Sequence, residues 1–100
     1  MPQLTIVYWR DIPAQVIAKA GRTTAKRVLN ERFEKAIDRA AMRAGLRDTD
    51  SYLAEWRRAD PIECGADLEA EAGAAAAKLE AEFPEARLNE YVMAGGKRPD

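Results

Sequence analysis

Few side chains in this 100-residue chain have the chemistry to catalyse a reaction, and what they lack narrows the field. There is one cysteine, Cys64, and no histidine. The absence of histidine removes Ser-His-Asp and Cys-His nucleophilic sites, imidazole general bases and His-ligated zinc together. A single cysteine makes neither an internal disulfide nor a thiolate metal cage. Cys64 stands just before a helical segment, where the helix dipole lowers a thiol pKa, but Asp60, Glu63 and Asp67 crowd it with negative charge that raises it. It reads as structural. Carboxylates are plentiful, yet Glu69, Glu71, Glu80 and Glu82 fall on polar helix surface rather than in the apolar setting that makes a general acid. No GxGxxG, P-loop or CxxC motif occurs. The expectation is no enzyme, no cofactor, no metal site and no catalytic residue.

What remains is a pattern of aromatics beside arginines. The two tryptophans sit in similar contexts, Tyr8-Trp9-Arg10-Asp11 and Glu55-Trp56-Arg57-Arg58. An arginine next to an aromatic ring can stack on it, as happens on single-strand nucleic-acid platforms. Trp9, Arg10, Asp11, Trp56 and Arg57, with the basic Arg22, Lys26 and Arg27, are therefore the candidate interaction residues. Set against that, Trp9 and Trp56 can simply pack on neighbouring strands while the arginines reach outward to water. A net charge of −1 and an acidic C-terminal half weigh against phosphate as the ligand. A protein partner is the first expectation, and single-stranded nucleic acid through the same residues is the alternative.

Charge is divided along the chain. From Lys19 to Arg47 nine Lys/Arg stand against three acids, and from Asp48 to Asp100 six stand against thirteen. Two solvated helix faces of opposite sign account for this; the same halves permit head-to-tail pairing in a homodimer. Of the 47% hydrophobic residues, 20 are alanine, which leaves enough larger side chains for one modest core. The N-terminal run Leu4–Trp9 is short and lacks the basic flank and cleavage site of a signal peptide, so no membrane partner is expected. A disulfide-free domain this small fits the cytoplasm.

The elements that must hold these residues can be read from periodicity. Residues 4–9 alternate as a strand, Arg10-Asp11-Ile12-Pro13 breaks it, and residues 14–20 form a second strand, making a hairpin. Gly21 ends that strand, and Arg22 to Arg27 reads as a basic connection. A helix is predicted from Asn30, a good N-cap, to Ala44, with Gly45 at the stop position. Arg47 to Ser51 is a turn cluster. Residues 52–62 are ambiguous: period two puts Tyr52, Ala54 and Trp56 on one face, whereas period 3.6 pairs Leu53 with Trp56 behind an Asp50 or Ser51 cap. A third strand over 52–58 is the reading adopted, because three strands bury a face better than two. A helix over 67–83 and a short one carrying Leu88, Tyr91 and Val92 follow, and residues 95–100 read as a flexible tail. The expected architecture is α+β: a small, mostly antiparallel sheet covered by two main helices, in one domain over residues 1–94.

The string from Thr5 to Val16, TIVYWRDIPAQV, with Gly21-Arg22, Ala36 to Met42 and Tyr52 to Arg58, resembles the small bacterial proteins grouped as the "virulence factor" domain. The resemblance spans roughly residues 4 to 83. Similar domains occur alone and fused behind scaffold-like or helical-repeat modules. The resemblance implies a bacterial, cytoplasmic accessory role; it brings no catalytic residues with it.

Overall fold

Alternating apolar and β-prone residues at the N-terminus build an antiparallel meander. In the computed structural model, which describes residues 1–46 and 48–99, strand β1 spans Gln3–Trp9, β2 Ile12–Ala20 and β3 Thr23–Val28. Two-residue turns join them, Arg10-Asp11 between the first pair and Gly21-Arg22 between the second. Gly21 has a φ of +58°, which the first position of a tight hairpin turn requires if its twist is to match the strands. The segment expected as a basic connection is therefore the strand β3. Its threonines and valine favour extended backbone, and its Lys26 and Arg27 are tolerated because it lies at the sheet edge. Pro13 also lies within a strand rather than before it. The register slips between Val7 and Tyr8, so that Pro13 rather than Ala14 faces Tyr8, and proline is accommodated at such a bulge.

Helix α1 (Glu31–Arg43) starts where expected, with the Asn30 side chain accepting from the Arg32 N–H at 3.0 Å. It ends in a left-handed cap: Gly45, at φ +78°, donates to the Met42 carbonyl, and Leu46 donates to that of Ala41. The ambiguous stretch divides. Asp48 caps a short helix, α2 (Thr49–Leu53), and the chain becomes extended only at β4 (Trp56–Arg58), which pairs with β1. The third strand predicted over 52–58 is thus real only in its last three residues. The Asp48 carboxylate, accepting from the Ser51 N–H, closes a helical turn before sheet pairing begins. A two-residue strand, β5 (Ile62–Glu63), also pairs with β1. Helices α3 (Leu68–Glu82) and α4 (Glu85–Met93) complete the chain on either side of Pro84. Arg47 of the predicted turn and Asp100 of the predicted tail lie outside the described residues.

The sheet runs β3-β2-β1-β4, every pair antiparallel, and the architecture is α+β. Leu4, Val16, Ala18 and Ala25 share one face, and α3 packs on it through Leu68, Ala72, Ala76 and Leu79. The small side chains of α3 let its backbone approach the sheet closely. At the hairpin end, Trp9 and Ile12 join Phe33, Ile37, Leu88 and Val92, where α1 packs on α4. The opposite sheet face carries Thr5, Val7, Ile17, Lys26 and Val28. Among the described residues no helix is long and apolar enough to cross a membrane.

Residues 95–98, expected as a flexible tail, are held in place. Gly95, at φ +72°, donates to the Val92 carbonyl and Gly96 donates to that of Tyr91 at 2.8 Å, closing α4 with the same kind of cap that closes α1. The two carbonyls of this cap then serve as acceptors for the first hairpin turn.

Candidate functional site

The turn Arg10-Asp11 organises everything around it. Arg10 has a φ of +53°, the left-handed region that costs an ordinary residue about 1 kcal/mol or more. Its side chain offsets that cost. Nε donates to Glu55 Oε1 at 2.7 Å, Nη1 donates to the Gly95 carbonyl at 2.9 Å, and the guanidinium lies 5.4 Å from the centre of the Trp9 ring. The backbone N–H groups of Arg10 and Asp11 donate to the carbonyls of Glu55 and Gly96 at 3.0 and 2.9 Å. The turn is therefore clamped between the α2–β4 connection and the end of α4.

One wall of an open cleft of about 590 Å³ grows from this turn. Arg57 on β4 stands directly opposite Tyr8 on β1, which puts both side chains on the same face and brings the guanidinium 4.6 Å from the tyrosine ring centre. Arg57 Nε donates to the Arg10 carbonyl at 2.8 Å and Nη2 to Asp11 Oδ1 at 3.1 Å. The other Asp11 oxygen accepts from the Arg98 backbone N–H at 2.7 Å. The facing wall comes from α4, where Arg87 and Tyr91 are one helical turn apart on one side and the guanidinium lies 5.3 Å from the ring centre. Phe83 backs Tyr91 edge-on at 5.2 Å, and Glu82 closes the rim. The cleft thus presents the half-buried Tyr8 with Arg57 on its face, and Arg87 over Tyr91, which at 5% exposure forms the floor; three arginines and two acids line it.

Its electrostatics are mixed rather than basic. Burial pushes the Tyr8 hydroxyl above its ordinary pKa; Arg57 opposes this, while Glu82, Tyr91 and Asp11 add to it. Tyr8 therefore stays a neutral hydrogen-bond donor and acceptor at neutral pH. Cys64 lies elsewhere, half-buried, and burial followed by the Glu71 carboxylate raises its thiol pKa. Among the described residues no group of three or more Cys, Asp or Glu is placed to hold a metal ion.

The residues singled out from the sequence separate into two groups. Trp9, Arg10, Asp11, Trp56 and Arg57 do come together. Trp9, however, is 0% exposed, donates from Nε1 to the Tyr52 carbonyl at 3.0 Å and stacks on Tyr52 at 5.8 Å, so it is core and not an anchor. Trp56 is half-buried, edge-on to Tyr52. Arg22, Lys26 and Arg27 lie on the far side of β2, at the opposite edge of the sheet, so no continuous basic-aromatic patch forms. Arg27 turns toward α3 and meets Glu69 at 3.6 Å. Sequence reasoning missed Tyr8, Glu82, Arg87, Tyr91 and Arg98 as a set. The four-residue spacing of Arg87 and Tyr91 on a predicted helix was the one available signal.

Fold and site together define a small α+β domain with an arginine–tyrosine cleft built on a clamped hairpin turn. The family model described as Virulence factor matches residues 7–92, and the chain belongs to that family. No curated protein and no solved structure matches the chain.

Proposed function

We propose that this chain is a non-enzymatic, cytoplasmic interaction module of a bacterial cell and that it captures a protein partner through the arginine–tyrosine cleft. The observation that carries the reading is the pairing of Arg57 with Tyr8 and Arg87 with Tyr91 on facing walls of one open cleft. Tyrosine and arginine are the residues that most often dominate binding energy at protein interfaces. Here they are mounted on a strand pair and a capped helix, so little conformational freedom remains to be lost on binding. Arg10 supports the cleft from behind, whereas Asp11 lines it. Asp11 and Glu82 in the lining disfavour a phosphate backbone and suit a mixed, polar protein surface.

The test is affinity capture from the native host with the full chain and with Arg87→Ala, with and without nuclease. Among the described residues Arg87 makes its ion pair, with Glu90 at 3.5 Å, and its ring contact, with Tyr91, inside α4, so its removal should leave the fold intact. The expected result is loss of one defined partner by the variant, with unchanged circular dichroism and no effect of nuclease. Equal capture by both chains, or capture abolished by nuclease, overturns the reading.

A further inference from the structure

The opposite edge of the sheet has its own geometry. In a two-residue hairpin the residues flanking the turn exchange backbone hydrogen bonds, and bonded and non-bonded pairs then alternate. The turn Gly21-Arg22 therefore makes Ala20 and Thr23 a bonded pair, followed by Ala18 with Ala25 and Val16 with Arg27. The Leu29 N–H donating to the Ala14 carbonyl at 3.1 Å continues the same parity. It follows that the backbone N–H and C=O groups of Thr24, Lys26 and Val28 point away from β2, and the sheet order leaves β3 as the terminal strand. The side chains of these residues lie on the sheet face opposite α3, where Val28 is 70% exposed although apolar.

The edge strands themselves are basic. Strands β2 and β3 and the turn between them carry Lys19, Arg22, Lys26 and Arg27 and no acid. The nearest acids come from helices, Glu69 of α3 against Arg27 at 3.6 Å, and Glu34 and Asp38 of α1 across a pocket from Val28. Among the described residues no ion pair engages Lys19, Arg22 or Lys26. From these observations we infer that β3 accepts an acidic, extended peptide segment as an added strand of the sheet. A second copy of the chain is the poorer occupant, because pairing β3 with β3 sets two basic strands side by side. The outward N–H and C=O groups alternate along the edge and match another peptide backbone, with Lys26 facing an acidic side chain and Val28 an apolar one. The inference rests on the reading of the chain as a protein-interaction module, but it uses the edge of the sheet farthest from the cleft.

The experiment is an amide NMR and hydrogen-exchange titration of the full chain with a capped peptide of alternating glutamate and valine, and with its lysine–valine counterpart. The expected result is exchange protection at Thr24, Lys26 and Val28 with the acidic peptide only. Lys26→Pro removes an outward N–H without touching the bonds to β2 and should weaken binding about tenfold, the size of loss expected when a strand edge loses a backbone donor and its local geometry. Lys26→Glu keeps the backbone and tests charge alone; it should weaken the acidic peptide and favour the basic one, so the outcome does not depend on the proline variant folding. Shifts confined to Tyr8, Arg57 and Arg87 would overturn the edge site and leave the cleft reading standing. Protection by both peptides alike, or displacement of the acidic peptide by a single-stranded oligonucleotide at the same amides, would also overturn it. Edge binding that persists in Arg87→Ala would keep this inference even if partner capture through the cleft failed.

Discussion

The six-membered ring of Trp9 occupies the space in which a side chain on Gly96 would begin. A Cβ on Gly96 would stand 2.6 Å from Cζ3 and 3.1 Å from Cε3 of that ring, and Gly96 has a φ of +93°. Both features exclude a side chain, and the indole, fully buried, has no room to move away. Gly96→Ala should therefore destabilise the fold by about 1–3 kcal/mol, the usual range for overpacking a core. At Gly95 a Cβ would meet Ala44 and Arg10 only at 3.6 Å, so Gly95→Ala should suffer the positive φ alone and lose less. Urea denaturation of the two variants checks the order.

A chain ended at Ala94 should lose stability well beyond the loss of a mobile tail. It removes the acceptors for the Asp11 N–H and the Arg10 guanidinium, and the two bonds that close α4. At a net 0.5–1.5 kcal/mol for each of these four hydrogen bonds, a loss of about 2–6 kcal/mol is expected. An unchanged melting temperature would show that the turn holds itself.

The ion pairs should separate by burial. The Arg10 and Glu55 side chains are 16% and 34% exposed, whereas Lys35 and Glu31 are 72% and 77% exposed. Lys35→Ala should change stability by no more than about 0.5 kcal/mol. Arg10→Ala keeps the strained φ and loses the bonds to Glu55 and Gly95, so a loss of about 1–3 kcal/mol is expected. Arg10→Gly loses the same bonds but relieves the strain, and should be more stable than Arg10→Ala by about 1 kcal/mol. Equal stability of the two Arg10 variants would contradict the account of the turn.

Cys64 should behave as a quiet thiol. Burial, with the Glu71 carboxylate second, raises its pKa, so the thiolate is scarce at neutral pH. Labelling by an aromatic disulfide should be slow at pH 7 and accelerate only above the ordinary thiol range. Glu71→Gln should speed it at fixed pH, and Cys64→Ser should leave the melting temperature nearly unchanged. Rapid labelling at pH 7 would reverse this reading.

The cap of α2 supplies a pH dependence with a definite sign. The Ser51 N–H holds the Asp48 carboxyl below its ordinary pKa. The folded value lies under the unfolded one, so the contribution is present above the usual carboxylate range and fades as pH falls through the folded value. The Ser51 amide resonance should titrate in that acidic window. Asp48→Asn should keep the cap and abolish the titration; a titration that survives the change would assign it to another group.

Local chemistry made much of the fold legible. The alternation from Leu4 to Trp9, the Asn30 cap, Gly45 and Pro84 each act over a few residues, and the structure places strands, helix starts and helix ends where they indicate. The sequence by itself determined the α+β class and the family, and it removed histidine chemistry from consideration. Tertiary structure decided the rest, since the deciding partners are distant in the chain. Segment 22–27 became a strand because β2 was there to pair with it, a long-range match that local charge obscures. Trp9 went to the core because Tyr52, 43 residues on, offered a carbonyl to its indole N–H. Gly95 and Gly96 became part of the domain through their carbonyls and their lack of side chains, and apolar patterning registers neither. The cleft exists only where β4 sets Arg57 opposite Tyr8 and α4 brings up Arg87 and Tyr91, because such a site is a meeting of faces and no single stretch of sequence holds it.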